Sequence, residues 1–209
     1  MAQAPVIHIV EDDASLRAAL EELFQSVGHR TLAYGSAAAF LDAFDPATPG
    51  CLVLDVRLPG ISGLDFQGRM AGLGVKLPVI LMTGHGDIPM SVRGMKAGAI
   101  DFLTKPFRDQ DMLDAVTEAI ERDSTRRASE GDLASVKSRF DTLSPRERQV
   151  MALVSAGRLN KQVAGDLSLS EITVKIHRGA AMRKMGARSL ADLVRMADAL
   201  GMSPANTSV

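Results

Sequence analysis

Acidic residues, a threonine and a lysine stand directly after apolar runs in the first half of the chain. Glu11, Asp12 and Asp13 follow Val6–Val10, and Asp55 follows Cys51–Leu54. Thr83 and Gly84 follow Val79–Met82, and Lys105 with Pro106 comes just after a run ending at Leu103. Carboxylates crowded together repel, and burying them unpaired is costly, so a cation is expected among them. Oxygen-only donors around an open position favour Mg²⁺, which keeps waters and accepts a phosphoryl oxygen. An aspartate beside such an ion and a lysine can attack phosphorus and carry an aspartyl phosphate. Lys105 and Thr83 would then hold phosphoryl oxygens by charge and hydrogen bond. Any one acid could instead cap a helix, and for Asp13, which precedes Ala14 and a helical pattern, capping is the expectation. Capping does not account for acids, Thr and Lys after successive runs together.

The elements that must position these groups read as alternating strands and helices. Besides the three runs above, Ala99–Leu103 is a fourth and Thr31–Tyr34 a weaker fifth. Short continuous apolar runs suit strands buried on both faces of a parallel sheet. Between and after them, Ala14–Val27, Ser36–Phe44, Leu64–Ala71, Ile88–Ala97 and Asp109–Arg122 carry apolar residues at helical spacing. Gly28, Gly35 and Gly98 sit where elements should stop. The fold class is therefore α/β, a five-stranded doubly wound parallel sheet over residues 1–122 with right-handed connections. Ligands of such sheets bind beyond the carboxyl ends of the strands, where the acids, Thr83 and Lys105 fall.

Residues 123–141 are polar and contain Gly131, a linker pattern. Leu133, Val136 and Phe140 predict that its second half is a short helix packing on the C-terminal domain. Residues 142–209 read as that second, smaller all-α domain of four helices. Ser144-Pro-Arg-Glu147 is a capping box with proline at the first helical position. Asn160–Leu167 and Glu171–Met185 are joined by the turn Ser168-Leu-Ser170, and Ser189 caps a last helix. Two helices on a three-residue turn predict a helix-turn-helix. On its second helix Lys175, His177, Arg178, Arg183 and Lys184 are polar, against Ile172, Ile176, Ala180 and Met185. Such a basic stripe suits the major groove of DNA, and equally describes a solvated helix face.

Composition sets the frame. The 209 residues have room for one medium and one small domain. The net charge of −1 is a cancellation: residues 1–122 hold 10 basic and 16 acidic side chains, the remainder 14 and 9. An aromatic content of 4% argues against a stacking platform for single-stranded nucleic acid. One cysteine excludes a disulfide framework and a Cys-rich zinc site and fits a reducing cytosol. No apolar run suggests a membrane span and the start lacks a basic n-region, so a cytoplasmic protein is expected.

VEDD, LDVRLPG, MTGHGD and DFLTKPF together resemble the receiver domain of two-component response regulators, over about residues 4–122. LSPRERQV, NKQVA and ITVKIHR resemble the LuxR-type DNA-binding domain, over about residues 142–197. Together they resemble a response regulator of the NarL/FixJ type, nearest the FixJ-like branch. The resemblance implies that Asp55 takes phosphate from a sensor histidine kinase. It implies Mg²⁺ held by Asp12, Glu11, Asp55 and the carbonyl of Arg57, with Lys105 pairing the phosphoryl group. Glu11 stands where the family most often has Asp. Thr83 moving inward would free space for Phe102 and reshape the face around Val92, Lys96 and Asp101, which forms a homodimer in such receivers. Arg57 and His85 would tune autodephosphorylation, and Lys105–Pro106 would be cis. In the DNA-binding half, Lys175, Ile176 and Gly179 would face bases, with Thr173, His177, Arg178 and Lys161 nearer phosphates. Leu190, Leu193, Val194 and Ala197 would serve core or pairing on promoter half-sites of double-stranded DNA. RNA polymerase is a further candidate partner. A constitutive DNA binder with a phosphorylation-independent receiver, and a Mg²⁺-dependent phosphohydrolase, are the alternatives.

Overall fold

A computed structural model describes residues 3–84 and 88–202, which form two compact units, one up to Arg127 and one from Ala128. In the first unit β1 (Val6–Val10), α1 (Ala14–Ser26), β2 (Arg30–Tyr34), α2 (Ala37–Ala43) and β3 (Gly50–Asp55) alternate. They continue through α3 (Gly63–Met70), a 3₁₀ turn at Ala71–Leu73, β4 (Val79–Thr83), α4 (Ile88–Lys96), β5 (Asp101–Thr104) and the first part of α5 (Asp109–Asp141), whose residues from Ala128 belong to the second unit. The sheet is parallel in the order β2-β1-β3-β4-β5. Val10 lies opposite Leu54, Asp55 opposite Met82, and Thr83 opposite Thr104. The chain therefore leaves β1, β3, β4 and β5 along one edge, with the order reversing between β1 and β3, where doubly wound sheets open a crevice.

Successive strand side chains point to opposite faces, and helices cover both, which is why the central strands are apolar throughout. Ile7, Ile9, Cys51, Val53, Ile80 and Met82 meet Leu20 and Phe24 of α1 and Met112, Val116 and Ala119 of α5. Val10, Leu52, Leu54 and Leu81 meet Phe40 of α2 and Leu64, Phe66 and Met70 of α3. His8, expected to be an ordinary strand residue, is buried with its ring against Phe40, Phe44 and Tyr34.

Two expectations are corrected. The run Ala99–Leu103 is not all strand: Ala99 is buried before the strand begins, and β5 starts at Asp101 after Ile100 N–H bonds the Val79 carbonyl at 2.7 Å. The segment 123–141 is helical throughout as part of α5, not merely in its second half. No proline interrupts Asp109–Asp141, and Gly131 alone costs about 1 kcal/mol of helix propensity. Asp123, read as linker, is buried and belongs to the first unit: its Oδ2 accepts from Gly50 N–H at 3.0 Å and Arg127 Nε at 2.7 Å, while Oδ1 pairs with Arg126. Arg127 in turn donates to the carbonyls of Pro46, Ala47 and Thr48.

In the second unit α6 (Pro145–Ser155), α7 (Asn160–Leu167), α8 (Glu171–Met185) and α9 (Leu190–Ala199) surround Val150, Met151, Val154, Val163, Val174, Ala181, Met185, Leu193 and Ala197. Val136 and Phe140 of α5 pack on this core. The Ser144–Glu147 capping box opens α6, Ser170 caps α8 through Thr173 N–H, and Ser189 with Asp192 caps α9. No helix among the described residues is long and apolar enough to cross a membrane.

Candidate functional site

The loop after β1, the end of β3 and the loop after β5 converge on one cluster. Carboxylate oxygens of Glu11, Asp12 and Asp55 lie within 4.8 Å of one another. Glu11 and Asp55 are buried, whereas Asp12 is exposed, so the cluster has a closed floor and an open side. Lys105 Nζ bridges the buried pair, 2.6 Å from Glu11 Oε2 and 3.1 Å from Asp55 Oδ1. The first contact is a hydrogen bond. The second is an ion pair without hydrogen-bond geometry, and Asp55 Oδ1 has no hydrogen-bond partner among the described residues. Burial pushes the Glu11 carboxyl above its ordinary range, opposed by the Lys105 hydrogen bond and reinforced by the Asp55 charge. The donor set fits Mg²⁺: oxygen ligands only, one exposed carboxylate, and a buried carboxylate oxygen lacking a proton donor.

Several features hold this geometry. Asp13 is the N-cap of α1, accepting from Ser15 and Leu16 N–H, as expected, and these bonds hold its carboxyl below the usual range. Arg17 was missed in the sequence: its Nη1 donates to the Glu11 carbonyl at 2.6 Å and the Asp12 carbonyl at 3.3 Å, pinning the acidic loop. Its signal, a cation four residues past the cap, also describes an ordinary helix surface. Gly63 lets α3 start against β3, because a Cβ there would stand 2.1 Å from the Asp55 carbonyl oxygen. Thr83 is fully buried at the end of β4, one strand from Asp55, and its carbonyl accepts from Lys105 N–H at 2.7 Å. The Lys105–Pro106 bond is cis. Arg57 is exposed and forms an isolated bridge with Ser62. His85 lies outside the described residues.

Phe102, opposite Leu81 in the sheet, is half-buried against the core, and Gly94 of α4 sits so close that a Cβ there would meet its ring at 3.4 Å. Val92 and Lys96 are exposed on α4 beside Ile88 and Met95. Asp101 is half-buried, its Oδ1 accepting from Phe102 N–H at 2.7 Å.

In the second unit α8 turns Val174, Ala181 and Met185 into the core and leaves Ile172, Lys175 and Ile176 exposed. Ile172 and Ile176 thus lie on the outer face and not on the packing face. Thr173, His177, Arg178 and Gly179 are half-buried, with Arg178 donating to Asn160 Oδ1 at 3.2 Å, and Lys161 is exposed on α7. Lys184 leaves the basic stripe: its Nζ pairs with Glu147 at 2.7 Å and reaches the Thr142 carbonyl. The Lys184 hydrogen bond holds the Glu147 carboxyl below its usual range.

Comparison with known proteins matches both halves of the chain to known domains. Residues 7–117 match the model of the response regulator receiver domain, and residues 141–197 that of bacterial regulatory proteins of the luxR family. The chain is similar to nodulation protein W of Bradyrhizobium diazoefficiens, 57% identical over 97% of this chain and 89% of that protein. It is similar to the transcriptional regulatory protein FixJ of Azorhizobium caulinodans, 43% identical over 99% and 98% of the two chains. Among solved structures, the response regulator StyR matches at a TM-score of 0.83 and 42% identity, covering 93% of this chain and 98% of that one.

Proposed function

Because the chain belongs to the response regulators of NarL/FixJ type, a receiver domain joined to a LuxR-type DNA-binding domain, we propose that phosphate enters at Asp55 and is read out on α8. The protein is a phosphorylation-dependent transcription regulator of a two-component system, with a histidine kinase and DNA as the partners its domains imply. It is not an enzyme in the ordinary sense, since a receiver carries phosphate on itself.

The observation that carries the reading is Lys105 Nζ set between the buried carboxylates of Glu11 and Asp55, with Thr83 on the next strand. Asp55 supplies the attacking oxygen toward the phosphorus of a phosphohistidine, and the histidine nitrogen leaves. Lys105 follows the charge onto the new phosphoryl oxygens, and the Thr83 hydroxyl donates to them. Glu11, Asp12, Asp55 and the Arg57 carbonyl would hold Mg²⁺, whose charge stabilises the phosphoryl oxygens during transfer. Arg57 and His85, two positions past Asp55 and Thr83 in the sequence, set the lifetime of the phosphate.

Inward movement of Thr83 draws Phe102 after it and reshapes α4 and β5. Ile88, Val92 and Met95 form an exposed apolar stripe there, with Lys96 and Asp101 as charged neighbours, and two such faces pair as a homodimer. A dimer raises the effective concentration of the second α8 at a promoter with two half-sites. Lys175, Ile176 and Gly179 meet bases, and Thr173, His177, Arg178 and Lys161 meet phosphates. RNA polymerase is the downstream partner, and the cytoplasm the compartment.

The decisive experiment labels the protein with acetyl phosphate and Mg²⁺ and measures dimerisation and DNA binding with and without beryllofluoride. Asp55→Asn should abolish labelling and phosphate-dependent binding. Unaltered labelling overturns the site, and equal DNA binding in both states overturns the switch.

A further inference from the structure

On α8, Ile172, Lys175, Ile176 and Gly179 follow one another at the spacing that lines a single helix face. That face lies across the helix axis from Val174, Ala181 and Met185, which are fully buried. Ile172 is 72% exposed and Ile176 63% exposed. Neither isoleucine is explained by the fold. Exposed, they bury little apolar area, and β-branched side chains are poorer helix formers than Ala. Gly179 is equally unexplained by packing, since a Cβ there would meet only Arg183 Nη1, at an ordinary 3.5 Å, and a mid-helix glycine costs about 1 kcal/mol.

The three positions make sense together against a ligand surface that carries methyl groups and comes close to the helix backbone. In the major groove the methyl group of thymine is the apolar feature, and small or branched apolar side chains are its partners. Ile172 lies in the first turn of α8, and the N-terminal residues of a recognition helix meet base edges. Lys175, exposed between the two isoleucines, supplies the charge that holds such a face against a phosphate-lined groove.

Resting on the reading of α8 as the DNA-binding helix, we propose that Ile172 and Ile176 form an apolar clamp on thymine methyl groups. Gly179, bare of side chain, lets the helix approach closely enough for both to touch. Ile172 thereby joins the specificity-determining residues, and the chain selects sites by their thymines at positions where a polar residue would select guanine or adenine.

The test needs no known operator. Full-length protein activated with beryllofluoride selects duplexes from a random pool, and the enriched pool is amplified with either dTTP or dUTP, which differ by the 5-methyl group. Wild type should bind the uracil duplexes about fourfold more weakly for each clamped methyl group removed. The Ile172→Ala/Ile176→Ala double variant should bind both forms equally, at the weaker affinity, and each single variant should lose part of the discrimination. Because both side chains are exposed, the variants should keep the helical circular dichroism and melting temperature of wild type. An effect of uracil on duplex shape would persist in the double variant, and that persistence overturns the clamp. So does a wild type indifferent to uracil, while discrimination left whole in Ile172→Ala removes that residue. If no sequence enriches at all, the DNA-binding reading itself has failed, a distinct result from enrichment without methyl dependence.

Discussion

Lys105 Nζ lies closer to Glu11, at 2.6 Å, than to Asp55, at 3.1 Å, so the lysine is held ready by one acid beside another. Glu11 therefore sets where the cation waits. In Glu11→Gln the charge-assisted bond is lost and the donor set drops a carboxylate. The Mg²⁺ concentration needed for half-maximal acetyl phosphate labelling should rise at least about tenfold. An unchanged Mg²⁺ requirement would show that Glu11 neither faces the ion nor positions the lysine.

Gly63 faces the Asp55 carbonyl with no room for a Cβ. Gly63→Ala must push β3 and α3 apart, because the clash is with backbone, which cannot rotate away. Labelling of Asp55 should slow and the first unit should lose about 1–3 kcal/mol in urea unfolding. Normal labelling with normal stability would mean the strand end is free to shift.

Burial of His8 holds its imidazole down at about 4, well below its ordinary 6.5. The unfolded chain binds this proton more readily, so stability is complete above about pH 6.5 and falls as pH drops toward 4, by up to about 3 kcal/mol. Denaturant titrations across this window should show a steeper loss in wild type than in His8→Leu. Parallel curves would assign the slope to carboxylates alone.

Buried Asp123 joins Gly50 N–H and the half-buried Arg126 and Arg127. Asp123→Ala removes the acceptor that the Gly50 N–H and two guanidinium groups share, at a cost of about 3 kcal/mol. Hydrogen exchange at the Gly50 amide should accelerate in the variant. Retained protection there would place the strand's anchor elsewhere.

Lys175 and Lys184 share α8 but differ in setting: Lys175 is exposed, and Lys184 pairs with Glu147. Lys175→Ala should lower specific affinity and reduce the salt dependence of DNA binding by about one phosphate contact. Lys184→Ala should leave that dependence alone and cost at most about 1 kcal/mol of stability, since its partner is Glu147. A reversed pattern would exchange their roles.

The elements and the acidic edge were legible in the chain because each depends on local rules. Apolar runs with acids, Thr83 and Lys105 behind them specify buried parallel strands and the contents of their carboxyl ends. Ser144, Ser170 and Ser189 announce their helices through hydrogen bonds within one turn. Distant pairing was not legible. Arg17 clasping the Glu11 carbonyl, Asp123 holding Gly50 across 73 residues, and Lys184 turning to Glu147 are matters of which charged groups the packing brings together. A charge in sequence looks the same on an open face as in a buried pair. Likewise Ile172 and Ile176 resemble core residues until helix rotation places Val174 and Ala181 inside and leaves them out. Local chemistry thus settled what the sites contain, and tertiary packing decided which cations serve them and which apolar side chains were left free to meet a partner.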